Sequence, residues 1–390
     1  MKIAKIALRG NIVLPEGIFY RGCVSIDGDS ISRIFAQEDA FSKTGYEIID
    51  YGDAYIAPGL VDLHLHGALG KDIMDCRETS LRKIAEHQAK NGVTGFLGST
   101  MSATLGSVLD AIGAIKRMDK ESLPSEILGV HVEGPFLNTE KKGAHQASFL
   151  RGISEEDCKR LAEAVAGMRS IISLAPEVEN NMKFIPVLKD HGFVVAVGHS
   201  CATYDQTIAC IERGVSHATH LYNAMSGFDH REPGVVGAVL DSFDITAELI
   251  ADGVHVHPAA LRLAISRKGP EKICLVTDSM IATGAGDGIY NWAGHEIEVK
   301  GKSAVIKESG ILAGSVLTLN MAVKNLIQWS DLSVNQAINM ASLNPARVLG
   351  LDNKLGSIQN GKLANLVVLD REFRVLDTII KGKSVLSRIC

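Results

Sequence analysis

Between residues 60 and 278 the chain repeats one unit eight times: a short apolar run, a turn and a stretch with helical character. The apolar runs are 60–66, 94–99, 127–133, 171–176, 194–199, 217–221, 245–251 and 273–278. Runs this short and this apolar suit buried strands, and helices between them make the strands parallel. Eight strand-helix units predict an α/β fold with the arithmetic of a TIM (β/α)8 barrel, although the count alone also describes a large open sheet.

The intervening helices are legible in places. Leu81, Ile84, Ala85 and Gln88 set a stripe within 80–91 that Asn91-Gly92 stops. Ser154 with Glu155, Glu156 and Asp157 opens another helix as cap and acidic first turn, and 203–213 closes at Gly214. After the eighth run, 291–306 reads as a hairpin excursion, followed by helices at 316–329 and 333–348. Both ends are different. Strands are expected at 2–9, 23–27, 30–36 and 46–50, and again at 363–370, 374–380 and 383–386, so the two ends are expected to pack as a small β-rich domain.

Composition narrows the function. The 390 residues are 46% hydrophobic, enough for a large core, and the net charge of −5 comes without a Lys/Arg cluster that would favour nucleic acid. A small-molecule partner is expected. Seven cysteines, Cys23, Cys76, Cys158, Cys201, Cys210, Cys274 and Cys390, are scattered and never spaced Cys-x-x-Cys, which argues against a disulfide framework or a thiolate zinc site and for a reducing cytoplasm. The N-terminus lacks a signal-peptide core, and no apolar run approaches the roughly 20 residues of a membrane span.

The polar residues inside the apolar runs carry the chemistry. In Pro58-Gly59-Leu60-Val61-Asp62-Leu63-His64-Leu65-His66-Gly67, strand alternation puts Asp62, His64 and His66 on one face with Leu60, opposite Val61, Leu63 and Leu65. Two imidazoles at i and i+2 can reach one cation, but two separately satisfied core histidines explain the pair equally well. The other runs decide. They end in His131-Val132-Glu133-Gly134-Pro135, Gly198-His199-Ser200, Thr219-His220-Leu221-Tyr222-Asn223 and Thr277-Asp278-Ser279, at the end of the strands where such barrels do chemistry. Glu133 alone could be a loop anchor and Asp278 alone a helix cap. His64, His66, Glu133, His199, His220 and Asp278 together form an imidazole and carboxylate set that suits zinc or ferrous iron.

These motifs, with Lys142-Gly143-Ala144-His145, Arg231-Glu232-Pro233-Gly234, Ile250-Ala251-Asp252-Gly253-Val254-His255 and Leu312-Ala313-Gly314-Ser315, resemble the amidohydrolase superfamily along nearly the whole chain. Within it, the resemblance is to the N-acetylglucosamine-6-phosphate deacetylase family. It implies a TIM barrel at 57–354 and a small β-sandwich domain from 1–56 and 355–390. It also implies Glu133, His199 and His220 as ligands of a metal common to the family and Asp278 as the catalytic carboxylate. Because His64 and His66 are both kept, a second metal on His64, His66, Glu133 and Asp278 is expected, so one or two divalent ions are open.

The implied reaction is hydrolysis of the N-acetyl group of N-acetylglucosamine 6-phosphate to glucosamine 6-phosphate and acetate, in amino-sugar catabolism and cell-wall recycling. His145 is implied as catalytic, polarising the acetamide carbonyl beside Ala144, where the residues alone would favour a solvated loop histidine. Arg231, His255 and Asn223 with the Ala224 amide are implied at the phosphate, and Asp252, Leu312, Ala313 and Gly314 at the sugar. Arg231 would reach the site of a second subunit, making a homodimer, although a surface ion pair with Glu232 or Asp229 explains it equally well. His131 shares strand parity with Glu133 and could support it; the remaining histidines read as structural. The main alternative is the N-acetylgalactosamine 6-phosphate epimer. A cyclic-amide hydrolase is disfavoured because 171–177 lacks the metal-bridging lysine expected there, and a non-catalytic scaffold because the ligand set is complete.

Overall fold

A computed structural model of the chain describes residues 5–36, 45–119 and 123–386. Residues 2–4 of the first expected strand and Cys390 lie outside them. One sheet holds eight parallel strands in chain order: Leu60–Leu65, Val93–Ser99, Glu126–Glu133, Arg169–Leu174, Val194–Val197, Val215–Ala218, Thr246–Leu249 and Ile273–Leu275. The sheet curls until its edges are joined by an isolated parallel bridge between Leu65 and Ser279. At this seam the Asp278 N–H donates to the His64 carbonyl at 2.8 Å and the His66 N–H to the Ser279 carbonyl at 2.8 Å. Asp62 accepts the Thr277 hydroxyl at 2.6 Å and so staples the first strand to the segment after the eighth.

Seven helices link these strands, from Glu78–Lys90 to Pro258–Lys268. Their local signals are those of the sequence. Leu81, Ile84, Ala85 and Gln88 are all buried, and Ser154 and Thr203 cap their helices with reciprocal bonds to Asp157 and Gln206. Val61, Leu63 and Leu65 of the first strand share one core with Leu81 and Ile84 of the helix that follows.

Six strands end sooner than the apolar runs do. The first and fourth stop at Leu65 and Leu174, the fifth and sixth at Val197 and Ala218, and the seventh and eighth at Leu249 and Leu275. The reason is clearest beyond the fifth, sixth and eighth, where His199, His220 and Asp278 take φ of 48°, 29° and 49°. That left-handed backbone is uncommon for non-glycine residues and incompatible with a strand.

Both chain ends build a second sheet, with Leu366–Leu369 pairing antiparallel to Glu47–Pro58, which in turn runs parallel to Lys5–Leu14. It has seven strands, and its core includes Leu8, Ile12, Val24, Ile56, Leu366 and Val368. The excursion after the eighth strand is a three-stranded antiparallel sheet, Gly288–Trp292, His295–Lys300 and Ser303–Ile306. The expected helix 333–348 is two, Val334–Met340 and Leu343–Val348, because Ser342 leaves helical backbone at φ −143°, ψ −70°. Among the described residues no helix is long and apolar enough to cross a membrane.

Candidate metal centre and active site

Glu133, the last residue of the third strand, stands at the centre of the site. Its Oε1 lies 3.1 Å from His199 Nε2 and 3.1 Å from His220 Nε2. Its Oε2 lies 3.1 Å from His66 Nε2 and 3.3 Å from His64 Nε2. Asp278 Oδ1 approaches the second pair, at 3.3 Å from His66 and 3.6 Å from His64. Within the pairs, His199 and His220 are 3.0 Å apart at Nε2, and His64 and His66 are 3.3 Å apart. All six residues are buried, and the strand ends that hold them converge because neighbouring parallel strands deliver their C-termini to the same rim.

Hydrogen bonding assigns the ring protons. His199 Nδ1 lies 2.7 Å from the Lys141 carbonyl, and His64 Nδ1 lies 3.0 Å from Glu248 Oε2. Both oxygens only accept, so each Nδ1 carries hydrogen, which leaves Nε2 of each ring as the atom that would bind a metal. Both Nε2 atoms face oxygens of Glu133, and a cation placed between ring and carboxylate would be held by both. Nitrogen and oxygen donors in this number fit a divalent metal, and among the described residues three groups, His64 with His66 and Asp278, Glu133 with His145 and His199, and His64 with His131 and Glu248, each hold their donor atoms within 4.8 Å of one another. Nδ1 of His66 and of His220 are buried without a protein partner.

The electrostatics follow from the same contacts. Burial opposes charge on Glu133 and Asp278, but the facing imidazoles, His64 first, outweigh it and hold both carboxyls below their ordinary range. Burial likewise disfavours His66⁺, yet the hydrogen bonds to Asp278 and Glu133 raise it to about 9. His145 is opposite in character. Burial pushes it down to about 4, its Nδ1 accepts the Ser102 backbone N–H at 3.1 Å, and its proton therefore sits on Nε2, 3.5 Å from Glu133 Oε2.

A cavity of about 370 Å³ opens over this floor. Of the residues expected at the substrate, Ala144, His145, Asn223, Ala224, His255, Leu312 and Gly314 line it, together with the metal-ligand candidates except His64, which lies fully buried beneath. Three do not line it. Asp252 sits behind His255, its Oδ2 2.7 Å from His255 Nδ1 and its Oδ1 taking the N–H groups of Val254 and His255 at 2.8 Å each. Ala313 is buried in the apolar cluster under the three-stranded excursion. Arg231 lies on an exposed loop beside a separate cleft near Cys201 and Tyr204, and its backbone N–H bonds Asp229 Oδ1 at 2.9 Å.

Three residues that the sequence reading passed over shape the site. Trp292 comes from the excursion and lines the cavity, its Nε1–H bonded to Asp72 at 2.5 Å and its ring set edge-on to His66 at 5.4 Å. Glu177 accepts from Asn138, Ser200 and the Cys201 N–H, tying the loop after the third strand to the loop after the fifth. Glu248, in the seventh strand, holds His64, and His217 holds Glu248 at 3.2 Å. A lone carboxylate inside the apolar run 245–251 was the signal for it.

Residues 55–385 match the amidohydrolase family. The chain is 35% identical to the N-acetylglucosamine-6-phosphate deacetylase of Bacillus subtilis (strain 168) over 95% of this chain and 94% of that one. It is 39% identical to the N-acetylgalactosamine-6-phosphate deacetylase of Escherichia coli O157:H7 over 84% and 87%. The crystal structure of N-acetylglucosamine-6-phosphate deacetylase from Pasteurella multocida superposes with a TM-score of 0.92 at 33% identity, covering 98% of this chain and 99% of that one. Agreement of this extent in sequence and in backbone has one meaning: the chain belongs to the amidohydrolase family, alongside the N-acetylglucosamine-6-phosphate deacetylases.

Proposed function

We propose that this chain hydrolyses the N-acetyl amide of N-acetylglucosamine 6-phosphate to acetate and glucosamine 6-phosphate, in amino-sugar catabolism and cell-wall recycling. The observation that carries the reading is the convergence of four imidazole Nε2 atoms and Asp278 on Glu133 at the floor of one cavity. His64, His66, Glu133, His199, His220 and Asp278 would hold zinc or ferrous iron. The placement of Glu133 between two histidine pairs supports two ions rather than one. When bound, such an ion supplies Lewis acidity and makes water acidic enough to attack near neutral pH.

The chain's own groups do the rest. Asp278, kept ionised by the facing imidazoles, takes the proton of the attacking water and returns it to the leaving nitrogen, which is too basic to depart as an anion. His145, neutral and protonated at Nε2, donates to the amide oxygen as it gains charge. His255, oriented by Asp252, receives the phosphate with Asn223 and the Ala224 backbone. Arg231 belongs to the site of a second copy in a homodimer, a reading supported by its exposed position outside its own chain's cavity.

We read the curled sheet as the TIM barrel of a catalytic domain at 57–354, and the ends 1–56 and 355–390 as a small β-sandwich domain; the sheet that joins both ends supports that division. The free thiols of the six described cysteines support a cytoplasmic site of action. The identity to the galactosamine-6-phosphate enzyme keeps the galacto epimer as a second reading. Acetate release from the two 6-phosphorylated epimers, with and without chelator, separates them. Faster, chelator-sensitive release from the gluco epimer supports the proposal, faster release from the galacto epimer supports the second reading, and release from neither with metal present overturns both.

A further inference from the structure

Beneath the cavity floor, a chain of buried polar groups runs outward from His64. Glu248 Oε2 lies 3.0 Å from His64 Nδ1 and accepts the backbone N–H of His220 at 2.9 Å. Glu248 Oε1 lies 3.2 Å from His217 Nε2, and His217 Nδ1 lies 2.7 Å from Thr246 Oγ1. Glu248, His217 and His64 are each 0% exposed. A carboxylate in the middle of a parallel strand packed on both faces is costly to bury and needs compensation of this completeness. It also does something no water could do as firmly: it fixes the hydrogen of His64 on Nδ1 and so commits Nε2 to the pocket.

Glu248 touches both histidine pairs, but unequally. To His220 it offers only an acceptor for the backbone N–H, whereas with His64 it contacts the ring itself. From this asymmetry we infer that Glu248 is a positioning residue that orients His64 and raises its donor strength, and so governs metal affinity at the His64, His66 and Asp278 side while leaving the His199 and His220 side nearly unaffected. His217 acts one step further out, holding the other carboxylate oxygen. This inference rests on the reading of the site as one that takes two ions.

Glu248→Gln is a clean probe because an amide can keep every contact. Its oxygen can accept from His64 Nδ1 and the His220 N–H, and its NH₂ can donate to His217 Nε2, whose other nitrogen meets a hydroxyl that serves either role. Only the charge is lost. The test is calorimetric titration of metal-stripped wild type, E248Q, His217→Gln and His64→Asn with Co²⁺, with the cobalt absorption bands followed in parallel. Two binding events are expected in wild type. One should weaken about 10- to 100-fold in E248Q and less in H217Q, and that same event should vanish in H64N, with the other event unchanged throughout. Two events of wild-type affinity in both E248Q and H217Q would overturn the inference alone. Equal weakening of both events would overturn it too, by making Glu248 a general structural support. A single event in wild type that H64N leaves intact would instead overturn the two-ion reading, and the inference with it. Because H217Q leaves the buried carboxylate in place, its titration decides the matter if E248Q does not fold.

Discussion

His199 and His220 aim their Nε2 atoms at each other across 3.0 Å, and both face the same oxygen of Glu133 at 3.1 Å. The Lys141 carbonyl keeps the His199 hydrogen on the far nitrogen. Two imidazole nitrogens and a carboxylate oxygen at contact distance make a cation cage, and a metal bound there would stabilise the folded chain because the unfolded chain has no such cage.

Removing divalent metal should therefore lower stability as well as activity. At metal a thousandfold above its dissociation constant the loss is about 4 kcal/mol. Thermal unfolding of chelator-stripped and reconstituted protein checks this, with a clearly lower midpoint expected for the stripped form; coincident melting curves would show that the cage holds nothing.

Asp278→Asn keeps the shape of the side chain and removes the proton acceptor. Turnover should fall by about 10²- to 10⁴-fold, with folding and binding of the phosphorylated sugar retained. Steady-state kinetics beside a direct binding measurement separates this from a loss of substrate affinity, which would point to a binding role alone.

His145→Ala removes the Nε2–H donor and its contact to Glu133 while leaving all six metal-ligand candidates in place. The expected loss in kcat is about 10²- to 10³-fold, largely recovered in His145→Gln if the amide reaches the same oxygen. An effect confined to KM would mean that His145 binds the ground state and not the developing charge.

Much of this was legible in the residues. Apolar alternation located the eight strands, and Ser154, Thr203, Asn91 and Gly214 marked helix ends that the structure repeats. The early ends of the fifth, sixth and eighth strands were not legible, because left-handed backbone at His199, His220 and Asp278 has no side-chain signature as it does when glycine supplies it. Trp292 and Glu248 escaped for a different reason. What they touch lies far away in sequence, and strand parity says which way a residue points but not what it meets.

Arg231 offers a test of subunit sharing. R231A, impaired in binding the phosphorylated sugar, and D278N, impaired in turnover, should regain activity when mixed and allowed to exchange subunits, since one site of each mixed dimer then has both intact residues. No recovery on exchange, with dimers shown to have mixed, would mean that Arg231 does not complete the partner's site. R231A should also raise KM for the phosphorylated sugar far more than for the unphosphorylated one.

His87 sets a pH dependence away from the metal. It is 8% exposed, accepts from Asn91 Nδ2 at 3.3 Å, and burial lowers it from 6.5 to about 4. The unfolded chain therefore takes up this proton more readily than the folded one. Stability from this group is intact above about pH 6.5 and is lost as pH falls toward 4, by about 3 kcal/mol in all. Urea unfolding of metal-stripped wild type and His87→Asn at pH 7 and pH 4.5 reads it out: the acid-induced loss should be smaller in the variant, and equal losses would contradict it.

The most direct test is acetate release from N-acetylglucosamine 6-phosphate as divalent metal is titrated back into stripped protein. Release should rise from background in step with metal bound and disappear again on chelation. Acetate release unaffected by stripping, or no release at saturating metal, would contradict a metal-dependent deacetylase built on Glu133, His199, His220 and Asp278.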